Sequence, residues 1–463
     1  MMNKGVYIAA LDLGTSKIRA MIARKSETGV LSVVASEQVN SDNCIRRGCV
    51  FNIDETTQKV SQLIRALNRK VEAEGIIDRI YVGINGQSIH SEAHKAKRIV
   101  SDGVVTKEII DLLLEEGKDY APSSLKSETL DLVSPEFYLD GQLEHKPKGA
   151  TCAEIEARFQ LILGSSALKK TLISAIEFKA KIEIAGFFIS PLATAEAVLT
   201  EEEKELGCAL IEFGAGVTSV SVYKSGVLKH LAVIPLGGNV ITKDITNLNM
   251  LEKEAEELKI KNGSALLESN DESDINPVIE ARMDEILANV IDQIKESGYA
   301  SALGMGIIIT GGAAQLNALT ESIRNKTGQI VNLVSAKRSL LNQPSDQERE
   351  PGNSTVIGLL ALGTENCLKP VETKSTQPTS FRPESPEDTV RKVFPTDIFG
   401  NPIKEEDKKP PKTEPKPPKP PTPSKGKERK RKIWEIFGGM ADSLFNEEDE
   451  DDHRENQKNK SEE

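Results

Sequence analysis

Three short glycine turns carry the residues best suited to phosphate chemistry. The first is Leu11-Asp12-Leu13-Gly14-Thr15-Ser16-Lys17, set between two apolar runs. A glycine beside small hydroxyl residues lets backbone N–H groups and side-chain hydroxyls approach phosphate oxygens, while Asp12 could hold a hydrated Mg²⁺ and Lys17 adds a cation. Taken alone, this stretch reads equally well as a plain β-hairpin. The second turn repeats the design within ALIEFGAGVTSVSVYKSG, residues 209–226: strand, acid (Glu212), Gly214, Gly216, Val217, Thr218, strand. The third, GMGIIITGGAAQLNAL, sets Gly311, Gly312 and Ala313 between a strand and a helix. Missing side chains there let a flat nucleoside lie against backbone. Two strand-acid-glycine-hydroxyl-strand turns in one chain predict duplicated domains facing each other across a cleft, each offering a phosphate-gripping hairpin. Asp12 and Glu212, the two acids, are the candidate catalytic residues.

The surrounding pattern is α/β. Short β-rich runs at Val6–Asp12, Ile18–Ala23 and Leu31–Val39 precede a helix from about Glu55, for which Asp54 is a plausible N-cap. Val60, Leu63, Ile64, Leu67 and Val71 then repeat at helical spacing. A second block repeats the order coarsely, with runs at Ala209–Phe213, Ser219–Tyr223 and Val227–Ile234. Asn276-Pro277 opens a long helix with Ile279, Met283, Ile286, Val290 and Ile294 on one face, and Gly306–Thr310 is a buried strand. After Leu368 the pattern collapses. Residues 369–424 are rich in Pro, Lys, Thr and Glu, a composition that builds no core, so they are expected to form a disordered linker spanning roughly 40 Å.

Beyond the linker, residues 425–446 predict a basic amphipathic helix, followed by an acidic tail at 447–463. Ile433, Phe437, Met440 and Leu444 follow helical spacing, and Trp434, Ala441 and Phe445 widen the stripe. Lys425, Lys427, Arg429, Lys430, Arg431 and Lys432 precede it against the single Glu428. An aromatic, apolar face beside a basic cluster suits an anionic membrane surface, at about 1 kcal/mol per basic side chain. Docking onto a partner or onto the chain's own body is the other reading. Gly438-Gly439 weakens the helix by roughly 2 kcal/mol relative to alanine, so lipid would order it.

Composition removes several function classes. With 463 residues and 38% hydrophobic content the chain can fill two or three domains. A formal charge of −12 argues against nucleic acid as a partner. No apolar run reaches the roughly 20 residues that span a bilayer, and the start has no secretory pattern, so the chain is expected to stay inside the cell. The five cysteines are scattered without a CxxC pair and read as reduced thiols, with Cys44 and Cys49 placed in a surface loop. The five histidines lack metal-ligand spacing. There is no GxSxG elbow for a hydrolase triad, and Asp271–Asp274 reads as a solvated loop.

The three turns, in this order, resemble the actin, Hsp70 and sugar-kinase superfamily: LDLGTSK its first phosphate motif, IEFGAGVTSV its second and ITGGAAQL its adenosine motif. ISPLATAEAVL and TVIGLLALG resemble the two helices that connect the lobes. Within the superfamily the chain is similar to the FtsA family of bacterial cell-division proteins over about residues 5–366. IPLGGNVITKDI, with Gly237, Gly238 and Asn239, looks like the segment after the second hairpin, and AEELKIKNGSA like the adenine-side helix, with Glu256 and Lys259 as implied contacts. Residues 84–163, ending in HKPKGATCAEIEA, fit the small extra domain of that family. The resemblance implies a two-lobed actin-like ATPase fold: lobe 1 at 1–83, completed by 164–200 and 353–368; the extra domain at 84–163; the lobe 2 core at 201–245 and 300–352; and its small subdomain at 246–299. It implies ATP with Mg²⁺ as cofactors, the metal arriving with the nucleotide, without a dedicated metal site. It further implies filaments of the chain itself on the cytoplasmic face of the cell membrane, tethering of the tubulin-like FtsZ ring through the FtsZ C-terminal peptide, and later membrane division proteins as partners. One departure stands out. The second motif normally carries Asp where this chain has Glu212, a methylene longer, and a displaced metal-bound water would make the chain at most a slow ATPase. Three alternatives remain: a pilus-assembly-type actin homologue, which has no use for the terminal helix; a small-molecule kinase, which needs a catalytic base in the cleft; and a chaperone ATPase, which needs a β-domain where this chain has linker.

Overall fold

The structure is a computed structural model that describes residues 5–120, 122, 126–267 and 273–370. The Pro-rich linker, the terminal helix and the acidic tail, as well as Asp271 and Glu272, lie outside the described residues. Two sheets dominate. The first has five strands in the order Glu183–Ile189, Arg79–Ile84, Val6–Leu13, Lys17–Lys25, Leu31–Asn40. Six successive residues of Val6–Leu13, from Ile8 to Leu13, are buried, as expected for a central strand covered on both faces. The helix packed beside it, Ile53–Lys70, buries Val60, Leu63, Ile64 and Leu67. Its N-cap is Asn52, not Asp54: the Asn52 side chain accepts the Glu55 N–H, and Asp54 sits in the first turn, where its charge opposes the positive end of the helix. Cys44 is also corrected, because it is fully buried against this core, while Cys49 is half-buried.

The second sheet has nine strands: Gln142–Glu144, Ser127–Leu139, Glu154–Ser165, His90–Ile99, Val227–Ile234, Thr218–Lys224, Cys208–Phe213, Ile307–Thr310, Val331–Leu333. It joins two separate apolar cores. One, around Ile155, Phe159 and Leu161, belongs to residues 96–163; the other, around Phe213, Ile279 and Ile309, belongs to residues 209–331. A single residue pair, Ala232 with His90, links the strands across the join. The Val233 N–H donates to Ile89 O at 3.1 Å, the Leu231 N–H to Ser91 Oγ at 2.8 Å, and Lys229 Nζ meets Glu136 Oε2 at 2.8 Å.

Between the sheets run two apolar helices, Ser190–Val198 and Ser354–Leu362, buried along most of their length. Their backbones touch. A Cβ on Gly358 would lie 1.8 Å from Ala193 O, so only glycine permits this crossing.

Candidate functional site

The two acidic hairpins are built alike. In the first, Asp12 pairs with Arg19 and Leu13 with Ile18; in the second, Glu212 pairs with Ser219 and Phe213 with Thr218. A Cβ on Gly14 would sit 2.7 Å from Lys17 O, and one on Gly214 would sit 2.8 Å from Val217 O, so the same tight turn excludes side chains at equivalent places. The first turn is braced from behind: Ser41 Oγ donates to Gly14 O at 2.6 Å, the Ser41 N–H to Ser16 O at 2.9 Å, and the Gly48 N–H to Thr15 Oγ1 at 3.0 Å. The hairpins meet tip to tip, since a Cβ on Gly216 would fall 2.5 Å from Thr15 Oγ1. The second turn is anchored by the helix Gly238–Thr246, whose Gly238 and Asn239 N–H groups donate to Gly214 O at 3.0 Å and Ala215 O at 2.8 Å.

A cavity of about 460 Å³ opens where these hairpins and the third glycine turn converge. Asp12, Gly14, Thr15, Ser16 and Lys17 line it from the first hairpin; Glu212, Gly214, Gly216 and Val217 from the second; Gly238, Asn239, Glu256, Lys259, Gly311, Gly312 and Ala313 from the remaining wall. Two expected residues stand behind the lining. Thr218 is buried and donates from Oγ1 to Leu236 O at 2.8 Å, and Gly237 caps the Gly238–Thr246 helix. Gly311 holds φ at +96°, a conformation kept for glycine, and Gly312 faces open space, since a Cβ there would meet nothing within 4 Å. Lys259 is buried, with Nζ 3.0 Å from Gly238 O, 2.7 Å from Thr242 Oγ1 and 2.6 Å from Glu256 Oε2. It therefore ties the Gly238–Thr246 helix to Glu252–Asn262 as part of the wall, with its ammonium already satisfied.

Sequence reasoning passed over Arg19. Its Nη1 lies 4.0 Å from Asp12 Oδ2, it lines the cavity, and its Nε is buried without a hydrogen-bond partner. The available signal was its two-residue spacing from Lys17, which puts both cations on one face of the strand. Ala215, Ser219, Ile241, Ile260, Gln315 and Leu316 were also passed over, as were Gly48, Asn85, Glu350 and Gly352, which reach the cavity from segments without a motif.

Both acids prefer their neutral forms more than free carboxyls do. Burial raises Asp12, against the lowering influence of Arg19. Burial also pushes Glu212 up to about 7, with the Asp12 charge adding to it and the hydroxyls of Thr355, Thr194 and Ser219 opposing it. Glu212 Oε1 accepts from Thr355 Oγ1 at 2.8 Å, Oε2 lies 3.1 Å from Thr194 Oγ1 and 3.4 Å from Ser219 Oγ, and the two threonine hydroxyls are 2.8 Å apart. The Thr194 hydroxyl also lies 3.0 Å from Ser190 O, so the cluster holds more contacts than its two threonine protons can serve.

Chemically, the cavity offers two glycine turns with small hydroxyls, two cations in Lys17 and the Asp12-paired Arg19, two acids and an open glycine shelf. An anion in the cleft would meet Lys17 and give the orphaned Arg19 Nε a partner. These residues fit a nucleotide with its magnesium.

Comparison with known proteins agrees with this architecture. The family model described as "Cell division protein FtsA" matches residues 209–358, and "SHS2 domain inserted in FTSA" matches residues 86–163. The "Cell division protein FtsA" of Porphyromonas gingivalis is 36% identical over 350 residues, covering 71% of this chain and 73% of that one. That of Neisseria meningitidis serogroup B is 31% identical over 377 residues, covering 76% and 89%. Among solved structures, the "PilM-PilN type IV pilus biogenesis complex" superposes with a TM-score of 0.58 at 15% identity, covering 77% of this chain and 99% of that one. At that identity the likeness concerns the actin-like fold alone.

Proposed function

Because this chain belongs to the FtsA family of cell-division proteins, we propose that it is an ATP-binding adaptor that polymerises on the inner face of the cell membrane and holds the FtsZ ring there. The observation that carries the nucleotide half is the pair of matched hairpins, meeting tip to tip over one cavity with the open Gly312 shelf beside them. In this reading Lys17, Arg19 and the hairpin turns hold the phosphates, Gly311, Gly312 and Ala313 support the nucleoside, and Asp12 orients the hydrated Mg²⁺, which neutralises phosphate charge when bound. Glu256 and Lys259 shape the nucleoside side from behind. The proposed domain division follows the lobes and the extra domain given above.

The membrane half rests on the terminal sequence: the Lys430-Arg431-Lys432 cluster and the Ile433, Trp434, Phe437, Met440, Leu444 and Phe445 stripe lie beyond a tether long enough to reach a surface. Self-association, binding of the FtsZ C-terminal peptide and contact with later membrane division proteins complete the proposal by family kinship. ATP turnover, if present, is slow and secondary to the structural role.

The Gly312→Asp variant tests the cleft. A Cβ at 312 would meet nothing within 4 Å, so the fold should persist while charge enters the nucleoside shelf. Calorimetry should show ATP binding weakened at least tenfold, about 1.4 kcal/mol; equal affinity would mean that the nucleotide sits elsewhere.

A further inference from the structure

Glu212 is placed at the edge of the cleft, yet its carboxyl is held from the other side. The strand Cys208–Phe213 carries the second hairpin, and Glu212 lies one residue before its end. From there the carboxyl reaches between the two crossing helices. Oε1 takes the Thr355 hydroxyl of Ser354–Leu362 at 2.8 Å, and Oε2 lies 3.1 Å from the Thr194 hydroxyl of Ser190–Val198. Both threonines are almost wholly buried, at 4% and 0% exposure, and touch each other at 2.8 Å. This cluster sits within one turn of the Gly358–Ala193 contact, where the helix backbones meet.

We infer that Glu212 is a positioning residue that fastens the second phosphate hairpin to both crossing helices, so that the angle between the lobes and the place of the hairpin in the cleft are set together. The inference rests on the reading of the cleft as a nucleotide site. It gives the extra methylene a structural reason. An aspartate at 212 would end about 1.5 Å short, one carbon–carbon bond, and could not span to both hydroxyls without pulling the strand toward the helices. A group that presses on the hairpin, as a bound polyphosphate would, then acts on the helix crossing through one side chain. Buried hydroxyl–carboxyl clusters of this kind favour one arrangement over its neighbours because any displacement leaves a buried polar group unpaired.

Hydrogen exchange of the backbone amides in 190–198 and 354–362, on the full chain with and without Mg²⁺-ATP, tests this. Glu212→Asp and Thr355→Val should each speed exchange in both helices at least about tenfold, as local opening becomes easier, and should reduce the extra protection that ATP confers. Valine keeps the shape of threonine, so packing loss does not account for the effect. Glu212→Gln, which keeps the length, and Thr355→Ser, which keeps the hydroxyl, should stay within about twofold of the natural chain. In the Glu212→Asp background, Thr355→Val should add little, since the tie is already broken. Natural exchange rates in Glu212→Asp would overturn the inference, and so would failure of Thr355→Ser to rescue; the glutamate pair decides the matter if Thr355→Val does not fold. The exchange differences in ATP-free protein do not require nucleotide. If they appear while the natural chain shows no ATP-dependent protection, the tie stands and the nucleotide reading of the cleft falls.

Discussion

Glu212 shows how a residue's type can be plain in sequence while its contacts are not. Its type and place, after an apolar strand and before Gly214, make it the candidate acid of a phosphate hairpin; that its carboxyl would be shared by Thr194, 18 residues before it, and Thr355, 143 residues after it, is invisible, because no local pattern brings those two helices to the strand. Its folded-state pKa of about 7 stands above the ordinary 4.5. An acid raised on folding binds its proton more tightly in the native state, so its contribution is complete below about pH 4.5 and is lost as pH rises through about 7, a change on the order of 3 kcal/mol. The natural chain should therefore lose more thermal stability than Glu212→Gln between about pH 5 and pH 8; parallel unfolding midpoints would show that Glu212 does not titrate there. Arg19 was missed for the opposite reason. Its spacing from Lys17 puts it on the same strand face, but only the register places it across from Asp12 with a buried, unpartnered Nε.

At the scale of elements, local pattern proved most informative where the element is short and its chemistry self-contained. Both hairpins and the Asn276–Glu296 helix follow from spacing, glycine placement and apolar content, whereas the two crossing helices were legible only through the family resemblance of ISPLATAEAVL and TVIGLLALG. The first helix begins two residues before the expected start because Asn52 is available to cap it, and a cap is decided by geometry that two neighbouring polar residues satisfy almost equally. The joining of two cores into one sheet was not legible at all: it depends on one backbone pair, Ala232 with His90, and on Lys229 finding Glu136. The terminal helix can be argued only from its stripe and its basic flank. Trp434→Glu combined with Phe437→Glu should release the chain from anionic vesicles and leave ATP affinity unchanged, because the foot lies beyond the tether; calorimetry and flotation read the two properties separately. Unaltered vesicle binding would assign the stripe to a protein partner instead.

For the whole molecule, the proposed function has the cleft and the foot act at different stages of one process. A single short amphipathic helix gives marginal, reversible attachment, whereas many such helices on one filament bind locally once the first has bound. Closing the cleft on ATP would favour filaments, and filaments would convert weak lipid contact into firm attachment. The acidic run Glu447–Asp452 after the foot would either repel anionic headgroups and weaken that grip or fold back on the basic cluster. Co-sedimentation with anionic liposomes, with and without Mg²⁺-ATP and with and without residues 425–463, tests this coupling most directly. The account predicts that the full chain sediments with the vesicles and does so more completely with ATP, while the shortened chain stays in the supernatant in both conditions. Sedimentation of the shortened chain with vesicles, or attachment of the full chain that ignores ATP, would contradict it.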